Sequence, residues 1–168
     1  METQIEWIKS SPHERKKYRG MVVGWQNSIL AINHLVSAFN EQYHKEDGEK
    51  PPHHGMKEIA LKKLIASSIV ELKCKVDEWV ARLNKDGEDT TKVNVERKKY
   101  RDLLDRAEHL RGIRNISFHY GDVMLEADDL AQLYEDINKW DLQELNDILK
   151  AIYSVGNVAK EIALSKAG

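Results

Sequence analysis

Residues 61–83 read LKKLIASSIVELKCKVDEWVARL, and their apolar positions decide the fold. Leu61, Leu64, Ile65, Ile69, Leu72, Val76, Trp79, Val80 and Leu83 recur at steps of three and four, the period of one face of an α-helix. Upstream, the same step carries Val22, Trp25, Ile29, Ile32, Val36, Phe39 and Tyr43. That helix is expected to open with Ser11 as N-cap, Pro12 at the first helical position and Glu14 completing a capping box. Downstream, a third helix is predicted from near Asn94 through Tyr100, Leu103, Leu104, Ala107 and Leu110, and a short one from Asp128. The last opens at Asp141, with Glu144 as capping-box partner and Trp140 stapled on Leu145, and runs on through Leu149, Ile152, Val155, Ala159 and Ile162.

Breaks fall where helices cannot continue. Residues 46–55 contain Pro51, Pro52, Gly48 and Gly55, residues 84–91 read NKDGEDTT, and Gly121 follows His119. No stretch alternates as a strand would. The expected class is therefore all-α, an up-and-down four-helix bundle with one additional short helix, in a single domain over residues 1–168. The second and last helices, at roughly 28 and 25 residues, would each span about 40 Å and leave flanks able to meet a second copy.

Composition narrows the function classes. A chain of 168 residues buries enough surface to fold without disulfides or a structural metal, and its one cysteine, Cys74, suits a reducing cytoplasm. Residues 1–11 lack the apolar core of a signal peptide, and no apolar run approaches a membrane span. A net charge of −2 argues against general polyanion binding, so any basic site must be local.

The third helix holds the main anomaly. Its stripe of Leu103, Ala107 and Leu110 leads at the next helical step to Arg114, where an aliphatic side chain is due. His119 follows in the run Arg114-Asn115-Ile116-Ser117-Phe118-His119. If the helix persists, Arg114 and His119 lie about 140° apart, whereas Asn115 and His119 share a face, so Asn115 can orient the imidazole. Spacing alone leaves a structural alternative open: cationic groups in a last turn complement the helix dipole, and Gly121 can serve as the residue that ends the helix.

Arg-Asn-x-x-x-His at the end of the third long helix of a small all-α chain resembles the signature of HEPN domains (higher eukaryote and prokaryote nucleotide-binding). Residues 110–122, LRGIRNISFHYGD, followed by a polar connector and Trp140-Asp141-Leu142, are most similar to the abortive-infection branch. The resemblance covers about residues 20–165. It implies a metal-independent endoribonuclease in a toxin–antitoxin or phage-defence setting, with Arg114 and His119 as catalytic pair, Asn115 beside them, and Arg111, Ser117 and Tyr120 contacting RNA. It further implies a homodimer, no cofactor, and a cognate antitoxin or nucleotidyltransferase as partner. Chemistry agrees with those roles: a ribose 2′-hydroxyl needs a base, the leaving 5′-oxygen an acid, and the phosphorane a cation. One departure concerns the tyrosine that some HEPN toxins carry two residues after the histidine. Here Gly121 takes that place and Tyr120 is adjacent to the histidine, which argues against control by modification there. A non-catalytic helical module binding a nucleotide or protein through Arg114 is the alternative.

Other features carry less. Glu-Arg-Lys-Lys-Tyr-Arg occurs at residues 14–19 and 96–101 and reads as two basic helix entrances, more often a solvated face than an RNA surface. Arg101, Arg106 and Arg111 extend positive charge towards Arg114, diluted by Asp102, Asp105 and Glu108. Glu41 and His44 have the spacing of a bundle metal site but lack a second copy, and His53 and His54 sit in the proline-rich loop. Gly20 and Gly24 suggest a close helix contact, and Cys74 an inert apolar position.

Overall fold

The computed structural model describes residues 2–9, 12–44, 54–118 and 127–167. Seven helices and no strand occur among them: α1 (Glu2–Lys9), α2 (His13–His44), α3 (His54–Lys85), α4 (Thr91–Lys99), α5 (Arg101–Phe118), α6 (Ala127–Lys139) and α7 (Leu142–Ala167). The all-α expectation holds, but three short helices rather than one accompany the four long ones. α2 and α3 each run 32 residues and α7 runs 26, close to the lengths read from the stripes.

The long helices run up and down. Lys17 near the start of α2 pairs with Asp86 just beyond α3, and Lys75 of α3 donates to Ser28 of α2. Arg19 of α2 donates to the Ala167 carbonyl at the end of α7, while Tyr153 of α7 reaches Asn33 of α2. Lys73 of α3 meets Glu108 of α5, while Val76 and Asp77, further along α3, share a cavity with Arg101 and Leu104 at the start of α5, so α5 returns antiparallel to α3. α7 packs on α2, α3 and α5 and joins the layers.

The stripes explain the core. Trp25, Ile69, Leu72, Leu83, Leu110, Ile148 and Ile152 are almost wholly excluded from solvent. Burial of each large aliphatic group contributes about 1.5–3 kcal/mol. Leu64 departs from its stripe at 42% exposed, because the neighbouring Ile65 takes the inward position. Ile148 and Ala163, absent from the sequence stripe, are buried because α7 is covered by more than one neighbour.

Helix ends follow local chemistry. The Pro12 carbonyl accepts from the Arg15 and Lys16 amides, so Pro12 precedes α2 rather than opening it; Ser11 lies outside the described residues. α3 closes on Gly87 at φ 78°, with Glu88 N–H on the Leu83 carbonyl and Gly87 N–H on that of Asn84, the paired bonds of a Schellman turn. Asp141 caps α7 as expected: its carboxylate accepts from the Gln143 amide and its carbonyl from that of Leu145. Glu144 does not reciprocate as a capping box, because its carboxylate pairs with Arg106 of α5.

The predicted third helix is two. Tyr100, at φ −108° and ψ 21°, leaves helical geometry between α4 and α5. α4 is drawn onto α7 by Ser154, which donates to Glu96, whereas α5 packs chiefly along α3. The second Glu-Arg-Lys-Lys-Tyr-Arg copy therefore spans a helix exit and elbow, not an entrance. Both copies keep one local contact, the lysine ammonium 4.7 Å from the next tyrosine ring, at Lys17–Tyr18 and at Lys99–Tyr100. Gly20 and Gly24 face open space, so they support no close helix contact within the chain. The close approach is at Gly156, against the ring of Trp25.

Candidate functional site

α5 delivers the motif. Leu103 packs against the core, Ala107 and Leu110 are buried, and the helix continues without a break to Phe118. Arg114 therefore follows Leu110 by one helical step, and Asn115 and Ser117 lie on the same helix. With Arg111 beside Cys74, the last turns of α5 run alongside the middle of α3. The side chains of residues 112–118 are outside the description, as are His119, Tyr120 and Gly121 altogether. The Arg114–His119 pair and its C-terminal cap thus fall beyond the described contacts.

Arg111 is described, and it is engaged. Its guanidinium forms a 2.8 Å ion pair with Glu108 and donates to the Cys74 sulfur at 3.5 Å. Cys74 is half-buried on the facing side of α3, so the thiol is not the sealed apolar position its sequence suggested. The other arginines of this helix whose side chains are described are paired as well. Arg106 meets Glu144, and Arg101 lies 3.8 Å from Asp105. Positive charge along α5 is therefore neutralised before it reaches residue 114.

A cavity of about 230 Å³ opens at the elbow, between α3, α5 and α7, with Lys73, Asp77, Arg97 and Arg101 among its walls. Lys73 bonds Asp77 and Glu108, each at 3.0 Å. Burial works against the Lys73 charge, but the two carboxylate bonds outweigh it and hold its pKa above the ordinary lysine value. Glu108 is held low, chiefly by its bond from Lys73. Three cations face carboxylates of equal number in this region, a balanced arrangement that fastens the elbow to α3 and that sequence stripes could not reveal.

A second, more open cleft of about 800 Å³ lies further along α3, where α2 starts and α3 and α7 finish. Lys17 and Tyr18 of the first basic hexapeptide reach Asp86 at 2.7 and 2.9 Å. These bonds hold the Asp86 carboxyl below the usual carboxylate range, Lys17 contributing most. Tyr18 is buried, so its ring cannot stack on a ligand.

Among the described residues no group of three or more His, Cys, Asp or Glu side chains is arranged to hold a metal ion. Glu41 lies near the end of α2, and the side chain of its sequence partner His44 is outside the description, as are residue 53 and the side chain of His54. No described helix is long and apolar enough to cross a membrane. In comparisons with known proteins the chain matches no family model, no curated protein and no solved structure.

Proposed function

We propose that the chain is a metal-independent endoribonuclease of HEPN type, working as a cytoplasmic homodimer in a toxin–antitoxin or phage-defence setting. Support comes from α5. It runs unbroken from the buried Ala107 and Leu110 through residues 114–118, so Arg114 occupies the helical step after the core stripe. The two preceding members of that stripe are buried, and the sequence sets an arginine at the next step where the pattern calls for an aliphatic residue.

In the reaction, one protomer's His119 takes the proton of the ribose 2′-hydroxyl as its oxygen attacks phosphorus. The bond from phosphorus to the 5′-oxygen breaks, and that oxygen receives a proton from the partner's His119. An imidazole with a pKa near 6.5 exists in both forms at neutral pH, which suits one base and one acid of the same kind. Arg114 stabilises the phosphorane oxygens with its planar fork, and Asn115, one turn before His119, orients the ring. Products are a 2′,3′-cyclic phosphate and a 5′-hydroxyl. Ser117 and Tyr120 contact the substrate near the scissile bond.

A second reading, a non-catalytic helical module binding a nucleotide or protein partner, is favoured by the engagement of Arg111 with Glu108 and Cys74. The two separate on total RNA incubated with purified protein in EDTA. Cleavage that disappears in Arg114→Ala and in His119→Ala at unchanged helicity supports the nuclease; RNA left intact by the parent protein supports the module.

A further inference from the structure

We propose that the open cleft at the start of α2 and the ends of α3 and α7 binds the phosphate backbone of single-stranded RNA, away from the site of cleavage. This rests on the nuclease reading and extends it to how the substrate is held.

Its walls carry Arg15, Lys16, Lys17, Arg82 and Lys166 against two carboxylates, Asp86 and Glu88. Leaving aside Arg15, which has an interaction of its own, four cations less two anions leave a surplus of two on a chain whose net charge is −2. The carboxylates are recessed, their side chains 23% and 17% exposed, and each is held by a lysine: Asp86 by Lys17 at 2.7 Å and Glu88 by Lys166 at 2.9 Å. Lys16 and Arg82, by contrast, are exposed. The field leaving the cleft is therefore positive. Three elements supply it, so it is a property of the fold rather than of one helix face.

The chemistry of the walls selects the occupant. Small-molecule pockets are mostly apolar with a few polar groups, whereas this cleft is lined by charge. Tyr18 is buried with its hydroxyl on Asp86, and the exposed ring on the walls is that of His13, so charge rather than an array of aromatic rings dominates the lining. Repeated phosphates fit such walls without regard to sequence. Position fits too. Arg111 lies beside Cys74, eight residues before Arg82 on α3, and Arg114 is one turn beyond, so the cleft and the motif are separated by about 17 Å along the bundle axis. A strand following the bundle reaches both.

The test uses fluorescently labelled single-stranded RNA and the full chain carrying His119→Ala, so that RNA stays intact, with and without Lys16→Glu and Arg82→Glu. Two neutralised phosphates predict a slope of about −1.4 in log affinity against log salt, hence about a sevenfold loss between roughly 50 and 200 mM salt. The double charge reversal should abolish that dependence and weaken binding at least about tenfold at the lower salt. Equal binding by both proteins at every salt, no binding by either, or tighter binding of polyglutamate or inorganic polyphosphate than of RNA would each overturn the proposal. Cleavage is read separately on the protein with His119 intact. Loss of cleavage in Arg114→Ala with RNA binding retained leaves the two claims independently judged.

Discussion

Gly156→Ala is the sharpest perturbation of this fold. A methyl group built there would sit 2.9 Å from Cζ3 of Trp25 and closer still to Cη2 and Cζ2. Trp25 is wholly buried and cannot swing away freely. Its indole N–H donates to Asn157 at 3.1 Å, and its ring packs edge-on with Trp79 at 5.5 Å and Tyr153 at 6.1 Å between centroids. Overpacking of a dense core costs about 1–3 kcal/mol, and two overlapping ring atoms place this site at the upper end. Replacing a helical glycine by alanine returns about 1 kcal/mol. The balance is a destabilisation of about 2 kcal/mol, which for a chain of this size lowers Tm by about 4–8 °C. Urea unfolding followed by tryptophan fluorescence and far-ultraviolet circular dichroism gives the number directly. Gly20→Ala and Gly24→Ala are the matched controls: no atom lies within 4 Å of either added methyl, so both should gain stability, by about 0.5–1 kcal/mol. A Gly156→Ala protein as stable as those controls would refute the close packing of α7 on α2.

Gly87→Ala should cost about 1 kcal/mol in the same urea experiment, because φ 78° suits glycine, and Gly87→Asn should cost less, since asparagine tolerates that region; equal stability of all three would remove the turn from the account of α3. Tyr153 is pushed up to about 12 by burial. Its folded value lies above its unfolded value near 10, so its stabilising share is complete below pH 10 and is lost as pH rises towards 12. Absorbance titration of tyrosinate should show a late component near pH 12 that Tyr153→Phe deletes, and an unchanged titration would contradict that burial.

Much of this architecture could be read from periodicity. The stripe from Ile65 to Leu83, the Asp141 cap and the break over residues 84–91 each arise from interactions within a few residues, and the structure keeps all three. The elbow at Tyr100 could not be read. Residues 94–110 are locally compatible with one helix, and it is Ser154 of α7 and Asp77 of α3, distant in sequence, that hold Glu96 and Arg97 on a separate course. α1 was missed for a similar reason: Trp7 is fixed by packing on the core and by the Arg19 guanidinium 4.4 Å from its ring. For the site, sequence located the helix and the step that carry Arg114, but not the capture of Arg111 by Glu108 and Cys74. The basic hexapeptide at residues 14–19 reads as an ordinary solvated face until Arg82 and Lys166 are brought beside it.

RNA cleavage in EDTA by the parent protein, Arg114→Ala and His119→Ala tests the central claim most directly. The parent should show a bell-shaped pH profile and ends bearing a 2′,3′-cyclic phosphate and a 5′-hydroxyl, and both variants should lose cleavage by at least about a hundredfold. Cleavage at the parent rate in either variant, with the fold unchanged, would contradict it.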